Sequence, residues 1–250
     1  MQTGEQLTPV RRHYDHAPIV EAVVEIQCEA PKTLKVDDLL RVQAQVATNY
    51  PQKQEVHELQ ISVPPTSPPN TAGRVIGYRF TTADGRKVLG TQLSAFSFSQ
   101  LAPYDRWETM RAEAYRLWLI YKATATPVRI VRVGVRYINR IDIPTTVGAG
   151  INLDEYFETS PRIAPTLPQN LTNYFMRLQI PNGEEMLLIT ETSVQPAAPN
   201  VISTILDIDV FVQRDMLDES GAWEIIDRLR ERKNEVFEAC ITDRVRDLIK

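Results

Sequence analysis

The sequence predicts an α+β protein: a duplicated βαβββα unit forms antiparallel sheet, with long helices packed on one face. Three observations predict it. Apolar residues alternate with period two over several runs, the mark of strands with one buried face. Two long stretches switch to a helical period, and each is the last element of its half of the chain. Two favoured hairpin turn pairs, Asp84-Gly85 and Asn182-Gly183, sit at matching places between the strand runs. Strands joined by tight turns, with a helix closing each set, read as α+β rather than as alternating α/β. The expected organisation is an N-terminal tail over 1–17, a first half over 18–127 and a second half over 128–250, together making one pseudo-symmetric unit.

Taken in order, residues 1–17 are polar and read as loosely held. Pro18–Glu29 alternates as a strand: Val20, Ala22, Val24, Ile26 and Cys28 share one face, with Glu21, Glu25 and Glu29 on the other. Val36–Tyr50 fits a helix with Val36, Leu39, Leu40, Gln43, Val46 and Ala47 on its stripe, and Asp37 and Asp38 suit its first turn. Val56–Val63 is a short strand. The segment 64–73, PPTSPPNTAG, reads as loop because four prolines remove donors and fix φ. Val75–Thr82 and Lys87–Gln92 form the first hairpin, and Ala95–Leu101 continues as strand. Pro103 opens a helix with Asp105 as its expected cap. Trp107, Met110, Ala114, Leu117, Trp118 and Tyr121 form its stripe, and Pro127 bars continuation.

Val128–Ile143 is the longest strand signal. Val131, Val133, Val135, Tyr137, Ile141 and Ile143 take one face, interrupted by Asn139, while Arg132, Gly134, Arg136, Ile138 and Arg140 take the other. Leu153–Phe157 reads as a short helix behind Gly148 and Gly150. Tyr174–Ile180 and Glu185–Thr192 form the second hairpin. Val201–Gln213 is a strand with Leu206, Ile208, Val210 and Val212 facing inward. Ala222–Ile249 reads as one helix carrying Trp223, Ile226, Leu229, Val236, Phe237, Cys240, Ile241, Val245, Leu248 and Ile249, with Lys233 as a gap in the stripe.

The two halves share detail as well as order. Tyr78-Arg79-Phe80 and Met176-Arg177-Leu178 precede their turns at a constant offset, and Trp107-Glu108 and Trp223-Glu224 open the two long helices. Joined, such halves make a pseudo-symmetric sheet with helices on one side, which resembles the TATA-binding-protein-like or helix-grip architecture. That likeness is of fold alone and implies no function.

Composition excludes several classes. The chain has 250 residues, 28 Lys plus Arg and 32 Asp plus Glu, for a formal net charge of -4. This acidic balance disfavours nucleic acid as partner. Cys28 and Cys240 are too few and too distant for a disulfide framework. No stretch reaches the roughly 18 apolar residues that a bilayer span needs. The opening MQTGEQLTPVRRHYD lacks the apolar core of a secretory signal, so the expectation is a cytoplasmic protein with no membrane partner.

Three separated stretches carry a family resemblance. APIVEAVVEIQ (17–27), GTQLSAFSFSQLAPYDRWE (90–108) and VGVRYINRIDIP (133–144) occur in the order of the PPIVEAV-E, Y--WE and RYINRI motifs of a sporadically distributed prokaryotic family of uncharacterised proteins. The resemblance covers the first 144 residues. It implies no catalytic residues or cofactor; the gene neighbourhoods of some members imply a partner-binding role in a defence or mobile-element context.

Charged residues on strands are the best chemical clue. Arg132, Arg136 and Arg140 share one strand face, Glu21, Glu25 and Glu29 the equivalent face of the first strand, and Asp207 and Asp209 a face near the end. Lining an enclosed polar cavity together with Arg177, the arginines would grip phosphate bidentately and the aspartates hold a divalent cation. That picture is similar to triphosphate-tunnel enzymes, but their ExExK opening is missing: the strand reads Glu21-Ala-Val-Val-Glu25. The competing reading is a solvated sheet face with cross-strand ion pairs. His13, Asp15 and His16 could suggest metal, yet there are 3 histidines in all, and no metal or cofactor is expected. Nucleotide, zinc-protease and serine-hydrolase motifs are absent. The leading expectation is therefore a non-enzymatic module that binds another protein, or itself, through a sheet edge or the outer sheet face. The alternative is a phosphate-ligand or nucleotide-handling protein using Arg132, Arg136, Arg140, Arg177, Asp207 and Asp209.

Overall fold

The structure is a computed structural model that describes residues 12, 14–62, 70–146, 152–169, 171, 173–216 and 219–250. Nine strands join one antiparallel sheet: β1 (Ile19–Glu29), β2 (Gln52–Ser62), β3 (Asn70–Thr81), β4 (Lys87–Gln92), β5 (Ala95–Leu101), β6 (Arg129–Pro144), β7 (Phe175–Asn182), β8 (Glu185–Val194) and β9 (Val201–Met216). Their order is β2-β3-β4-β5-β1-β6-β9-β8-β7. The first strands of the two halves, β1 and β6, are thus neighbours at the centre, aligned Ala22 to Tyr137 and Val24 to Val135. Outward from that pair each half runs last strand, then next to last, then the one before. Gly85 (φ 74°) and Gly183 (φ 62°) supply the left-handed backbone that the two hairpin turns require.

Among the described residues the α-helices are α1 (Leu40–Val46), α2 (Trp107–Ala125), α3 (Glu219–Cys240) and α4 (Asp243–Leu248). The alternation read from sequence decides which sheet face they cover. Ala22, Val24 and Ile26 of β1, Val133, Val135 and Tyr137 of β6, Leu206, Ile208 and Val210 of β9, and Phe96 and Phe98 of β5 are all buried on one face. Trp118 and Tyr121 of α2 pack on Phe96 with ring centroids 5.6 and 5.8 Å away. The α2 and α3 helices lie antiparallel, joined by Trp107 and Arg111 to Asp227, Tyr115 against Trp223, and Trp118 and Lys122 to Glu219. Burying a large apolar side chain is worth about 1.5–3 kcal/mol, against ~0–1 kcal/mol for an exposed ion pair, so this face holds the fold.

Differences from the sequence reading have local causes. The first predicted helix is a 3₁₀ turn over Val36–Leu39 followed by α1, and its buried residues are Leu39, Val42, Val46 and Tyr50 rather than Gln43 and Ala47. Residues 70–73 of the predicted loop belong to β3, paired to the end of a longer β2. Pro64 to Pro69, His13, Gly148 and Gly150 lie outside the described residues. Helix α2 starts at Trp107 behind Arg106, not at Pro103, and Arg106 caps it without a side-chain bond. A register shift between Ile130 and Arg132 turns Ile130 inward where alternation places Val131. The last predicted helix breaks at Ile241-Thr242. There the backbone leaves the helix to bond the 153–158 turn: Ile241 bridges Phe157, Thr242 N–H donates to Tyr156 O, and Glu158 N–H donates to Cys240 O. Leu248, expected on the stripe, is exposed on α4. Part of the expected tail is docked: the Tyr14 hydroxyl donates to Glu238 and its ring meets Phe237 edge-on.

Candidate functional site

The residues predicted to carry chemistry lie on the sheet face opposite the helices. Along β6, Arg132, Gly134, Arg136 and Ile138 take this face, alternating with the buried Val133, Val135 and Tyr137. The registers place Glu25 opposite Gly134 on β1, and Asp209 opposite Arg136 on β9. Arginines on the central strand therefore have acids on both sides.

Arg132 is the best seated. Its Nη1 donates to Glu25 Oε1 at 2.7 Å and its Nη2 to Asp209 Oδ2 at 2.9 Å, and its guanidinium lies 4.1 Å from the Phe211 ring centroid. Its side chain is only 12% exposed. Gly134 makes the seat possible: a Cβ there would come within 3.1 Å of both Arg132 Nη1 and Phe211 Cβ. Arg136 forks onto Asp207 through Nε at 2.8 Å and Nη2 at 2.5 Å, the bidentate geometry that a planar guanidinium favours. Burial pushes the Asp209 carboxyl above the usual range, and Arg132 pulls it back. The bond to Asp207 raises the Arg136 guanidinium further above its ordinary value. Toward one end of the strip, Arg129 bridges Glu29 and Asp215, both at 2.7 Å.

Arg140 is engaged differently. It donates to Asp142 Oδ1 at 3.1 Å, to the Gln195 carbonyl at 3.0 Å and to Ser203 Oγ at 3.0 Å. Arg177 is exposed on the edge strand β7 opposite Thr190, with β8 and β9 between it and Arg136, and has no ion pair among the described residues. Arg79 is exposed on β3 in the same way. The structure thus brings Arg132, Arg136, Asp207 and Asp209 together and leaves Arg140 and Arg177 to either side. The four that meet, together with Glu25 of β1, neutralise one another. Among the described residues no group of three or more His, Cys, Asp or Glu is placed to hold a metal ion, and both aspartates face guanidinium groups. A cleft of about 780 Å³ lies elsewhere, on the loop carrying Asp154, Arg162 and Gln169, and contains none of the predicted residues.

Among the buried ionisable groups on the helix-covered side, Lys233 and Glu191 are the two whose surroundings the sequence did not reveal. Lys233 of α3 is 6% exposed, with Nζ 3.7 Å from the Tyr137 ring centroid. Glu191 of β8 is fully buried; its Oε1 accepts from the Tyr174 hydroxyl at 2.7 Å and its Oε2 has no partner. Burial lowers the Lys233 ammonium to about 7 and raises the Glu191 carboxyl to about 7. The only sequence signal was a polar residue at a position that the apolar period assigns inward.

No helix among the described residues is long and apolar enough to cross a membrane. Comparison with protein-family models, curated proteins and solved structures returns no match for this chain.

Proposed function

We propose that the chain is a non-enzymatic protein-interaction module whose working surface is the sheet face opposite the helices, with β7 as its rim. The carrying observation is the one-sided cover. Nine strands present a broad face on which Arg132 and Arg136 are already compensated by Glu25, Asp207 and Asp209, so a partner meets them without stranding a bare charge. Half-buried Val23, Ile138 and Leu188 lie among these pairs, and the edge strand adds Phe175, 69% exposed, on the same face. Apolar patches inside a polar frame are the make-up of interfaces. The match in outward strand order supports two copies of a βαβββα unit as the origin of this platform.

The test compares Ile138→Glu, on the open face, with Leu119→Glu, on the exposed side of α2, in pull-down and light-scattering experiments. The proposal expects self-association or a captured partner that the open-face variant loses and the helix variant keeps. A monomer with no partner, or a partner indifferent to Ile138→Glu, overturns it. A thermal shift with millimolar nucleoside triphosphate, abolished by Arg140→Ala or Arg177→Ala, would instead establish the phosphate-ligand reading on the arginines least committed to internal pairs.

A further inference from the structure

The two edges of the sheet are built differently. The β2 edge is guarded: it carries exposed Lys53, Glu55 and His57, and a register shift between Val56 and His57 interrupts it. The β7 edge reads Phe175-Met176-Arg177-Leu178-Gln179-Ile180-Pro181-Asn182, runs against β8 without a register shift and has one charged side chain. Phe175 and Ile180 are the only exposed large apolar side chains on a strand among the described residues. Alternation places Met176, Leu178 and Ile180 on the helix-covered side, opposite Glu191, Ile189 and Leu187, and Phe175, Arg177, Gln179 and Pro181 on the open side.

The direction of the backbone groups follows from the pairing. Ser193 N–H donates to Tyr174 O, and in an antiparallel pair the bonded residues recur at every second position, so Met176, Leu178 and Ile180 bond to β8. The N–H and C=O groups of Phe175, Arg177 and Gln179 then point away from the sheet, as does the C=O of Pro181, which has no N–H to strand there. No strand lies beyond them among the described residues. We propose that β7 pairs antiparallel with β7 of a second copy of this chain, about a two-fold axis at Leu178. This goes beyond the open-face reading and uses a different surface, the edge of the strand.

Complementarity selects both the occupant and the register. With the axis at Leu178, Arg177 of each copy faces Gln179 of the other, and each such pair exchanges backbone bonds in both directions. Phe175 N–H meets the Pro181 carbonyl of the second copy, and the Phe175 ring lies beside that proline on the open side. On the other side Leu178 meets Leu178 and Met176 meets Ile180, so both exposed apolar side chains of the strand gain apolar neighbours. An axis at Arg177 sets two arginines directly opposite each other, which is destabilising, and an axis at Gln179 leaves Phe175 outside the strand pairing. Only the Leu178 axis engages every outward residue from Phe175 to Pro181. Joining β7 to β2 of a next copy brings in the charges and the break of that edge, and it leads to an open filament instead of a closed pair. The two-fold axis stands perpendicular to the sheet, so both open faces point the same way and the pair presents one doubled face.

The experiment measures the mass of the full chain by sedimentation and light scattering from micromolar to near-millimolar concentration, with each variant checked for folding by circular dichroism. A dimer is expected. Gln179→Pro removes one outward N–H from each copy and keeps every β7–β8 bond, so it should raise the dissociation constant at least about tenfold. Pro181→Val adds an outward N–H and should lower it. Leu178→Cys stands on the axis, at a non-bonded pair whose Cα atoms lie about 4.5 Å apart, and should give a disulfide-linked dimer on mild oxidation. Met176→Cys, roughly 13 Å from its counterpart in this register, should not. The native Cys28 and Cys240 are buried. A chain that is monomeric at every concentration, an open-ended series of larger species, a dimer indifferent to Gln179→Pro, or crosslinking through Met176→Cys in preference to Leu178→Cys overturns the proposal. Ile138→Glu should leave this dimer intact. A dimer lost by Ile138→Glu and kept by Gln179→Pro overturns the β7 pairing and leaves the open-face reading standing, whereas the reverse establishes β7 whatever becomes of an open-face partner.

Discussion

Lys233 and Glu191 make the stability of this protein depend on pH in an unusual sense. An ordinary lysine titrates at 10.5 and this one at about 7, so between those values the unfolded chain binds more protons than the folded one. Stability gained from the amine is complete above 10.5 and is lost as pH falls through 7. Glu191, raised from 4.5 to about 7, works the other way: its contribution is complete below 4.5 and is lost as pH rises through 7. Together they place a minimum in their joint contribution near neutrality. Urea denaturation at pH 6 should show Lys233→Met more stable than the native chain by on the order of 3 kcal/mol, a gain that fades toward pH 10. Glu191→Gln should stabilise by a similar amount at pH 8 and have little effect at pH 4. A third substitution tests the open face. Gly134→Ala should cost about 1–2 kcal/mol, read as a lower urea midpoint, because Phe211 and the tethered Arg132 leave the new methyl no room. None of this is legible in the sequence alone. Periodicity assigns Lys233 and Glu191 to positions but says nothing of their surroundings, and the worth of Gly134 rests on a residue on a different strand.

At the scale of elements, local pattern was a good guide wherever one face meets the core. The stripes of α2 and of α3, and the inward faces of β1 from Ala22 to Cys28 and of β9, are buried as alternation and helical period required, while at the start of β1 a register shift brings Ile19 rather than Val20 to the core. The pattern failed where tertiary hydrogen bonds compete with local preference. Ile241 continues a helical stripe, yet the 153–158 turn claims its backbone and that of Thr242 and ends the helix. The Arg132–Arg140 row was correctly placed on one face, but its chemistry was not readable, because Glu25, Asp207 and Asp209 come from strands adjacent only in three dimensions. The α2–α3 pair offers an element-level test. Asp227 accepts from Trp107 Nε1 at 3.1 Å and from Arg111 Nε at 2.7 Å. Asp227→Ala should therefore lower stability by about 1 kcal/mol, a modest figure because the Arg111–Asp227 pair is more than one-third exposed. Arg111→Ala combined with it should add little, which a double-mutant cycle would measure.

For the whole molecule, the order of nine strands ties the halves into one sheet through β1 and β6, and α2 and α3 tie them again on the helix layer. Unfolding followed by tryptophan fluorescence, with Trp107 and Trp118 on one helix and Trp223 on the other, should coincide with unfolding followed by circular dichroism. Two separated midpoints would show that the halves stand alone. The central position of β1 also bears on how the chain is made. Leaving the ribosome before either neighbour, β1 can take β5 on one side, but its other edge has no mate until β6 emerges about a hundred residues later. For that interval a growing chain carries an open strand edge with Ala22, Val24 and Ile26 beside it, the kind of surface that nucleates association between nascent chains. The strand that organises the finished sheet is thus the one whose protection during synthesis depends most on the pace of translation.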